Sequence, residues 1–592
     1  MSQVKQCVSM VKGALGPFFL SPSSRKNVGI VLERQAAKRP SQALIRFEDR
    51  EVTYLQANEL ANRYARLFLS RGFAKGDTVA LLMGNRPEYL IIHAGLAKIG
   101  VVPALVNTNI RGRVLAHALN IVEARAVIVG LELAEAYDAV AAEVNVPGPV
   151  FVEKEGLAAP TPSGMEDLAP LIADQPDTNP VPPEPVVAAD TLEYIYTSGT
   201  TGMPKATVLT HRKWFQMGYA AGGFAMNVIP GDVQYLCLPL YHNSGVNIAW
   251  PHSLMWGGTV ALARKFSAGR FWDDVRRFKA SHFIYVGELC RYLYNQPPRP
   301  DDKDNPLRVI LGNGMRAEYW EAFQERFGIE KVLEVYGATE GVGGLMNRKG
   351  VPGMIGQLSL AGIVRMGELA RCDVETGEIH RDARGFAQKC AVGETGMFLP
   401  KISRINQFSG YKNNKAATSE KILSDVFVPG DRYFLSGDLM QLHDKDYVSF
   451  VDRLGDTFKW KGEVVSTNEV GDLLFRFGDI EDANVYGVEV KGSEGRAGMA
   501  ALTLLPGREI DLAALGAYVA EHLPVYARPW FLRIREQCDV SVSFKQQKVT
   551  LRKEGFDPGQ IDDPLYFYHP GQGYLPLTRA LYDDIQGGEV RF

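Results

Sequence analysis

Residues 194–205 run Tyr194-Ile-Tyr-Thr-Ser-Gly-Thr-Thr-Gly-Met-Pro-Lys205, an apolar strand that stops at Thr197 in a loop of hydroxyls. Thr197, Ser198, Thr200 and Thr201 crowd around Gly199 and Gly202. Backbone N–H groups and side-chain donors on a glycine-hinged loop can wrap phosphate oxygens, and Lys205 adds a positive charge. The G-x-x-x-x-G-K-S/T spacing of a Walker A loop is absent. A plain surface turn has no need of so many hydroxyls directly after a buried strand, so phosphate binding is the stronger reading.

Two further strand ends carry similar chemistry. Leu307-Arg-Val-Ile-Leu-Gly-Asn-Gly-Met-Arg-Ala317 satisfies G-x-G-x-x-G/A through Gly312, Gly314 and Ala317, with Asn313 between the glycines and Glu334 downstream. Taken alone it is a weak Rossmann look-alike, and a strand-to-helix turn that needs glycines for close packing explains it equally well. The run of residues 332–335 ends in Tyr336-Gly-Ala-Thr-Glu340. Tyr336 could stack on a base, Thr339 could bond a phosphate and Glu340 could hold Mg²⁺; the same residues also read as a helix start capped by Thr339. Three successive strand ends facing one crevice favour the functional reading.

The rest of the chain bounds this site. Its 592 residues suggest roughly three to five structural units. With 65 Lys+Arg against 68 Asp+Glu, nothing advertises a nucleic-acid partner. Its 59 glycines exceed the average share of about 7%, which implies extra turns or close backbone approaches. Cys7, Cys237, Cys290, Cys372, Cys390 and Cys538 are scattered, which fits a reduced cytoplasmic setting and no zinc or disulfide frame. The first 20 residues make a poor signal peptide. The long apolar run of residues 89–106 is broken by His93, Lys98 and Pro103. It reads as a helix begun by Pro87, ended by Gly100 and followed by a buried strand, so no transmembrane helix is expected.

Helical patterns alternate with short β-branched runs over residues 27–109, the signature of a parallel sheet with covering helices. Residues 175–185 form a Pro-rich linker, α and β segments alternate again to about Glu340, residues 356–450 look β-rich, and a mixed pattern restarts at Leu454.

The loop of residues 197–205, Tyr336 to Glu340, Ser436-Gly-Asp438 and Asp452-Arg453 occur in the order found in adenylate-forming acyl-CoA synthetases, which the chain resembles. Finer details resemble one branch, the fatty acid transport protein and very-long-chain acyl-CoA synthetase family. They are residues 97–109, Gly312-Asn-Gly-Met-Arg316, residues 455–463, Phe544-Lys-Gln-Gln-Lys548 and residues 553–558.

The resemblance implies an α/β fold with a β-rich subdomain. A large N-terminal AMP-binding domain, residues 1–453, would hold two α/β sheets and a β-barrel-like unit. A small mobile α+β domain, residues 454–592, would pivot on residues 453–456. The implied activity is a two-step ligation using ATP, Mg²⁺ and coenzyme A on a long- or very-long-chain fatty acid. In it, residues 197–205 would hold the β- and γ-phosphates. Thr339 would meet the α-phosphate and Glu340 the metal. Gly312, Asn313, Gly314, Tyr336, Gly337 and Ala338 would form the adenine slot, and Asp438 and Arg453 would take the ribose. Gly462 would line the pantetheine tunnel. His242, Gly341 and Gly343 would border the acyl pocket, with Trp250 and Trp256 packing nearby. The catalytic lysine would be Lys545, with Lys548 as its rival.

Ser436, Val464 and Ser541-Val542 depart from the family's usual residues. A bile-acid or steroid carboxylate remains an alternative substrate, and a non-enzymatic fatty acid carrier or an oxidoreductase are further readings. A homodimer and peripheral contact with the inner face of a membrane are left open by the sequence.

Overall fold

Pro87, whose absent N–H loses nothing in a first turn, opens the helix Pro87–Ile99, and Gly100 closes it in the left-handed region at φ 74. Every residue of this helix is buried, so the most apolar run of the sequence is core. Two of its polar side chains find buried partners: His93 Nε2 meets Glu193 Oε2 at 2.8 Å, and Lys98 donates to Glu33 and Asn58, each at 2.8 Å. Among the described residues no helix is long and apolar enough to cross a membrane. The computed structural model describes residues 2–197, 203–360, 364–374, 376–454, 456–461, 463–491, 493, 495–536, 548–590 and 592.

The strand after that helix, Val102–Leu105, lies parallel between Thr78–Leu82 and Thr191–Thr197 in a seven-stranded sheet. Lys205–Thr210 folds back antiparallel on Thr191–Thr197. Ala43–Phe47, which the alternation over residues 27–109 would put in the same sheet, instead pairs parallel with Thr259–Leu262 in a second sheet. Alternation specifies a covered parallel strand and not which sheet receives it. Here the Thr259 hydroxyl, donating to Ala43 O at 2.7 Å, helps to fix the choice.

The second sheet has thirteen strands. Its parallel half runs through Thr259–Leu262, Val233–Leu236, His282–Val286, Val309–Asn313 and Lys331–Tyr336. It then turns antiparallel through Leu345–Asn347, Gly356–Gln357, Tyr447–Arg453, Asp438–Leu442, Thr395–Pro400 and Gly367–Ala370. The β-rich segment is therefore a hydrogen-bonded continuation of the α/β sheet. Residues 175–185 are irregular and tied down: Asn58 Nδ2 donates to Asn179 Oδ1 at 2.9 Å and Arg66 Nε to Thr178 O at 3.0 Å.

A separate apolar core begins at Phe458 and reaches Ile585. It fills a five-stranded sheet, Ile480–Glu489 to Gly573–Pro576, covered by the helices Thr467–Phe475, Leu512–His522 and Arg579–Gly587. This unit docks on the larger body through charges. Arg316 meets Asp472 at 3.2 Å, Arg476 meets Glu318 at 2.6 Å, and Tyr319 packs against Phe475 with centroids 6.1 Å apart.

Candidate functional site

His282–Val286, Val309–Asn313 and Lys331–Tyr336 are parallel neighbours, so their carboxyl ends open at one edge of the second sheet. At the middle end, Gly312 is a packing glycine, since a Cβ there would lie 2.2 Å from Tyr285 O. Gly314 adopts φ 84, and the next helix, Ala317–Phe327, leaves directly after it. Glu334 closes this turn from below. Its carboxyl accepts from Gly314 N at 3.1 Å, Met315 N at 2.8 Å and the Tyr285 hydroxyl at 2.7 Å. Burial pushes Glu334 up to about 8 against those donors. The acid of the Rossmann look-alike is thus a buried brace for the loop and does not face a ribose; Asn313 and Gly314 are the exposed residues of the turn.

The neighbouring end, Tyr336 to Glu340, forms a turn and not the alternative helix start. Gly341 N donates to Ala338 O at 2.9 Å, and Gly341 takes φ 70, which a continuing helix forbids. Thr339 and Glu340 are partly exposed, and a Cβ at Gly337 would meet nothing within 4 Å. The Tyr336 hydroxyl donates to Asp438 Oδ2, and its ring meets Phe398 edge-on at 5.5 Å. Burial, helped by the Asp438 carboxylate, raises the Tyr336 phenol far above its usual range, so it stays a donor.

Asp438 is directly opposite Arg453 in the antiparallel ladder, and Arg453 Nε donates to Asp438 Oδ1 at 3.1 Å. Ser436 donates to Phe398 O at 2.5 Å and accepts from Asp438 N at 3.0 Å, so the serine still holds the turn before the aspartate. Gly437, at φ 78, again borders open space.

Thr197 pairs with Lys205 across the hairpin, which sets the two feet of the hydroxyl loop side by side. Ser198, Gly199, Thr200, Thr201 and Gly202 lie outside the described residues, as do Gly462 and Lys545. The edge of Lys205–Thr210 receives a further segment: Val208 N donates to Gly410 O at 3.1 Å and Lys412 N to Ala206 O at 2.8 Å. This addition brings in Tyr411, which sequence reasoning missed. Its hydroxyl donates to Glu340 Oε1 at 2.7 Å, and Lys205 Nζ sits 5.5 Å from its ring centroid. Lys421 was missed too. Burial lowers its ammonium while Glu340 and Asp438 pull the other way, so it lies within the field of both carboxylates. No local motif marks either residue; strand addition brings in Tyr411, and Lys421 closes the helix Lys415–Glu420 that follows it.

His242 stands in the turn after Leu236, its ring 5.5 Å from that of Tyr241. Trp250 is buried in the core, and Trp256 Nε1 donates to Gly218 O at 3.1 Å. The helical layer here is wound wide, with i→i+5 turns at Gly218–Ala225 and Ser244–Ala249. Gly341 carries the Lys213 stem against it, and burial lowers Lys213 to about 8. The space left by the side chain Gly343 lacks is taken by Pro400, whose atoms a Cβ would approach to 2.5 Å. Gly343 is therefore required by φ 77 and close packing rather than by a passing chain.

Arg453 is followed by the unit with its own core. Asp452 is buried and accepts from Thr467 N at 2.9 Å and Oγ1 at 2.7 Å. Lys548, the rival lysine, donates to the same Thr467 hydroxyl. Burial lowers the Lys548 ammonium while Asp452 opposes that effect. Here Lys548 is a brace at the base of the second unit.

The site thus gathers two carboxylates, each with one oxygen held by a tyrosine hydroxyl. Around them stand Lys205, Lys421 and Arg453, and glycines that border open space. Carboxylates accept from sugar hydroxyls or bind a hard cation, and the cations suit phosphate.

Residues 32–384 match the family described as AMP-binding enzyme. The chain is 38% identical over 582 residues to the medium/long-chain-fatty-acid–CoA ligase FadD6 of Mycobacterium tuberculosis, covering 98% of this chain and 94% of that one. It is 40% identical to long-chain fatty acid transport protein 6 of Mus musculus, covering 94% and 89%. Among solved structures, the anthranilate CoA ligase AuaEII in complex with anthranoyl-AMP superposes with a TM-score of 0.77 at 20% identity, over 91% of this chain and 98% of that one. A Mycobacterium tuberculosis fatty acyl CoA synthetase gives 0.62 at 23% identity, over 89% and 98%.

Proposed function

The chain belongs to the AMP-binding enzyme family, and on that footing we propose that it is an ATP-dependent ligase joining long-chain fatty acids to coenzyme A. Curated relatives bearing the names of fatty-acid CoA ligases and fatty acid transport proteins match it along nearly its whole length, which supports the acid class. The observation that carries the reaction is the placement of Asp438 between Tyr336 and Arg453, with the Glu340–Tyr411 pair linking the following loop to the edge of the first sheet.

In the first step a carboxylate oxygen of the acid attacks the α-phosphorus of ATP. The bond from that phosphorus to pyrophosphate breaks, leaving acyl-AMP. In the second, the thiolate of coenzyme A attacks the acyl carbon and AMP leaves. Phosphorus displacement is chiefly positioning and charge neutralisation. Asp438, acceptor-only when ionised, suits the two ribose hydroxyls, with Arg453 alongside. Thr339 would meet the α-phosphate and Lys205 the outer phosphates with residues 197–202. Gly337 leaves room for the base against Tyr336. Lys545 would supply the cation of the adenylation step from the second unit, which would turn about residues 453–456 to admit the thiol with Gly462 along its path.

The donor set fits Mg²⁺. Glu340 keeps one oxygen clear of the Tyr411 bond, and no group of three or more His, Cys, Asp or Glu side chains that could cage a metal occurs among the described residues. One carboxylate plus phosphate oxygens is the usual holding of this ion. Bound there, it would neutralise phosphate charge.

The test is a carboxylate panel (palmitate, a longer acid and cholate) assayed for AMP release with and without coenzyme A. Release with the fatty acids that requires the thiol supports the reading. Cholate as the sole substrate moves the acid class to sterols, and no AMP with any acid sinks the ligase.

A further inference from the structure

Six of the thirteen large apolar side chains left exposed among the described residues fall between residues 4 and 19. Val4, Val8, Val11 and Leu15 project from the helix Ser2–Leu15, and Phe18 and Phe19 follow it, Phe19 being 80% exposed. At 3.6 residues per turn the four helical positions fall within about 60° of one another, a single stripe. Lys5 and Lys12, about two turns apart, border that stripe along one side and are exposed. No acidic residue occurs before Glu33, while Lys5, Lys12, Arg25 and Lys26 all do.

The opposite face of the helix is fixed. Gly13 packs so tightly that a Cβ would lie 2.2 Å from Phe224 N, and Gly16 rests on the Tyr219 ring. Ser9 donates to Val228 O at 2.8 Å. The helix is therefore clamped on the wide-wound segment Gly218–Ala225 beside the helix Trp250–Trp256, with its apolar stripe turned outward. A clamped helix cannot roll to hide that stripe.

We propose that this face is a docking surface for a lipid bilayer carrying anionic headgroups. The apolar stripe with Phe18 and Phe19 would enter the boundary between headgroups and chains, and Lys5 and Lys12 would meet the headgroup charge. The helix is too short and too charged to span; it lies in the interface. Charge decides the occupant: a segment with cations and no acids suits an anionic surface and repels an identical copy of itself. Delivery of a membrane-dissolved acid to the layer beneath rests on the ligase reading above, whereas the docking itself does not.

The test is sedimentation of the full chain, without nucleotide or acid, with phosphatidylcholine vesicles with and without about 30 mol % phosphatidylserine. Wild type should bind the mixed vesicles and bind neutral ones much less. Val8→Asp/Val11→Asp should weaken binding roughly tenfold or more, and Lys5→Gln/Lys12→Gln roughly fivefold per lysine. Both variants should unfold at the wild-type temperature, because the changed side chains are exposed. Wild type that ignores both vesicles, or a double-aspartate variant that binds like wild type, overturns the proposal. So does a wild-type dimer that the aspartates dissociate, since a second copy then covers the face. A chain that binds vesicles yet forms no acyl-CoA keeps this surface and loses only the ligase reading.

Discussion

The Tyr411 hydroxyl donates to Glu340 Oε1 at 2.7 Å, joining residues 71 apart in the chain. Tyr411 is nearly buried, so the bond fixes which oxygen of Glu340 remains for a ligand. Tyr411→Phe keeps the ring and removes a bond to a charged group, a loss of about 1.5–3 kcal/mol. The expected result is a fall of roughly tenfold to a hundredfold in kcat/KM for acyl-AMP formation, with a higher Mg²⁺ requirement and a lowered unfolding temperature. An unaltered Mg²⁺ titration would show that Tyr411 does not orient the carboxylate.

Asp438→Asn replaces two acceptors with one acceptor and one donor. The Tyr336 hydroxyl and Arg453 both lose part of their hold. ATP should bind roughly tenfold or more weakly, and discrimination between ATP and its 2′-deoxy analogue should shrink. Retained discrimination would remove Asp438 from the ribose.

Glu334 offers a pH signature. Its folded value, raised by burial to about 8, lies above the ordinary 4.5 of the unfolded chain. The folded state therefore binds the proton more tightly, and this group's contribution is greatest below 4.5 and is lost as pH rises toward about 8. Glu334→Gln, neutral throughout, should flatten that part of the stability profile. Thermal unfolding of both proteins from about pH 5 to about pH 8 measures the difference, and parallel profiles would count against the buried brace.

The two lysines separate by readout. Lys548→Ala removes the ammonium bound to Thr467 beside buried Asp452, and should lower stability by roughly 1–3 kcal/mol. Lys545→Ala should leave the unfolding temperature alone and slow adenylation by roughly a hundredfold or more. Swapped outcomes would make Lys548 the residue of the first step.

Local chemistry announces parts of this structure. Pro87 and Gly100 mark both ends of a helix because proline and a left-handed glycine fit only those places. The strand ending at Thr197 and those ending at Asn313 and Tyr336 were legible as apolar runs stopped by glycines and hydroxyls. What stayed hidden depends on distant pairing. Tyr411 reaches Glu340 only because residues 410–412 add to the edge of Lys205–Thr210, and nothing near Tyr411 encodes that register. Glu334 matched a spacing pattern and belongs to the floor of the loop, because burial rather than spacing sets its partners. The switch of Ala43–Phe47 to the second sheet was unreadable for the same reason.

The thirteen-stranded ladder also acts as a ruler. Adjacent strands stand about 4.8 Å apart, so the ends at Val286, Asn313 and Tyr336 span roughly 10 Å. A residue inserted within one of these strands would push its loop about 3.3 Å out of line and turn its side chains to the other face. Insertions at the opposite ends, as in the irregular residues 295–308 that lead into Val309–Asn313, leave the ruler untouched. Length variation should therefore be tolerated at that end of the sheet and be destructive at residues 312–316 and 336–341.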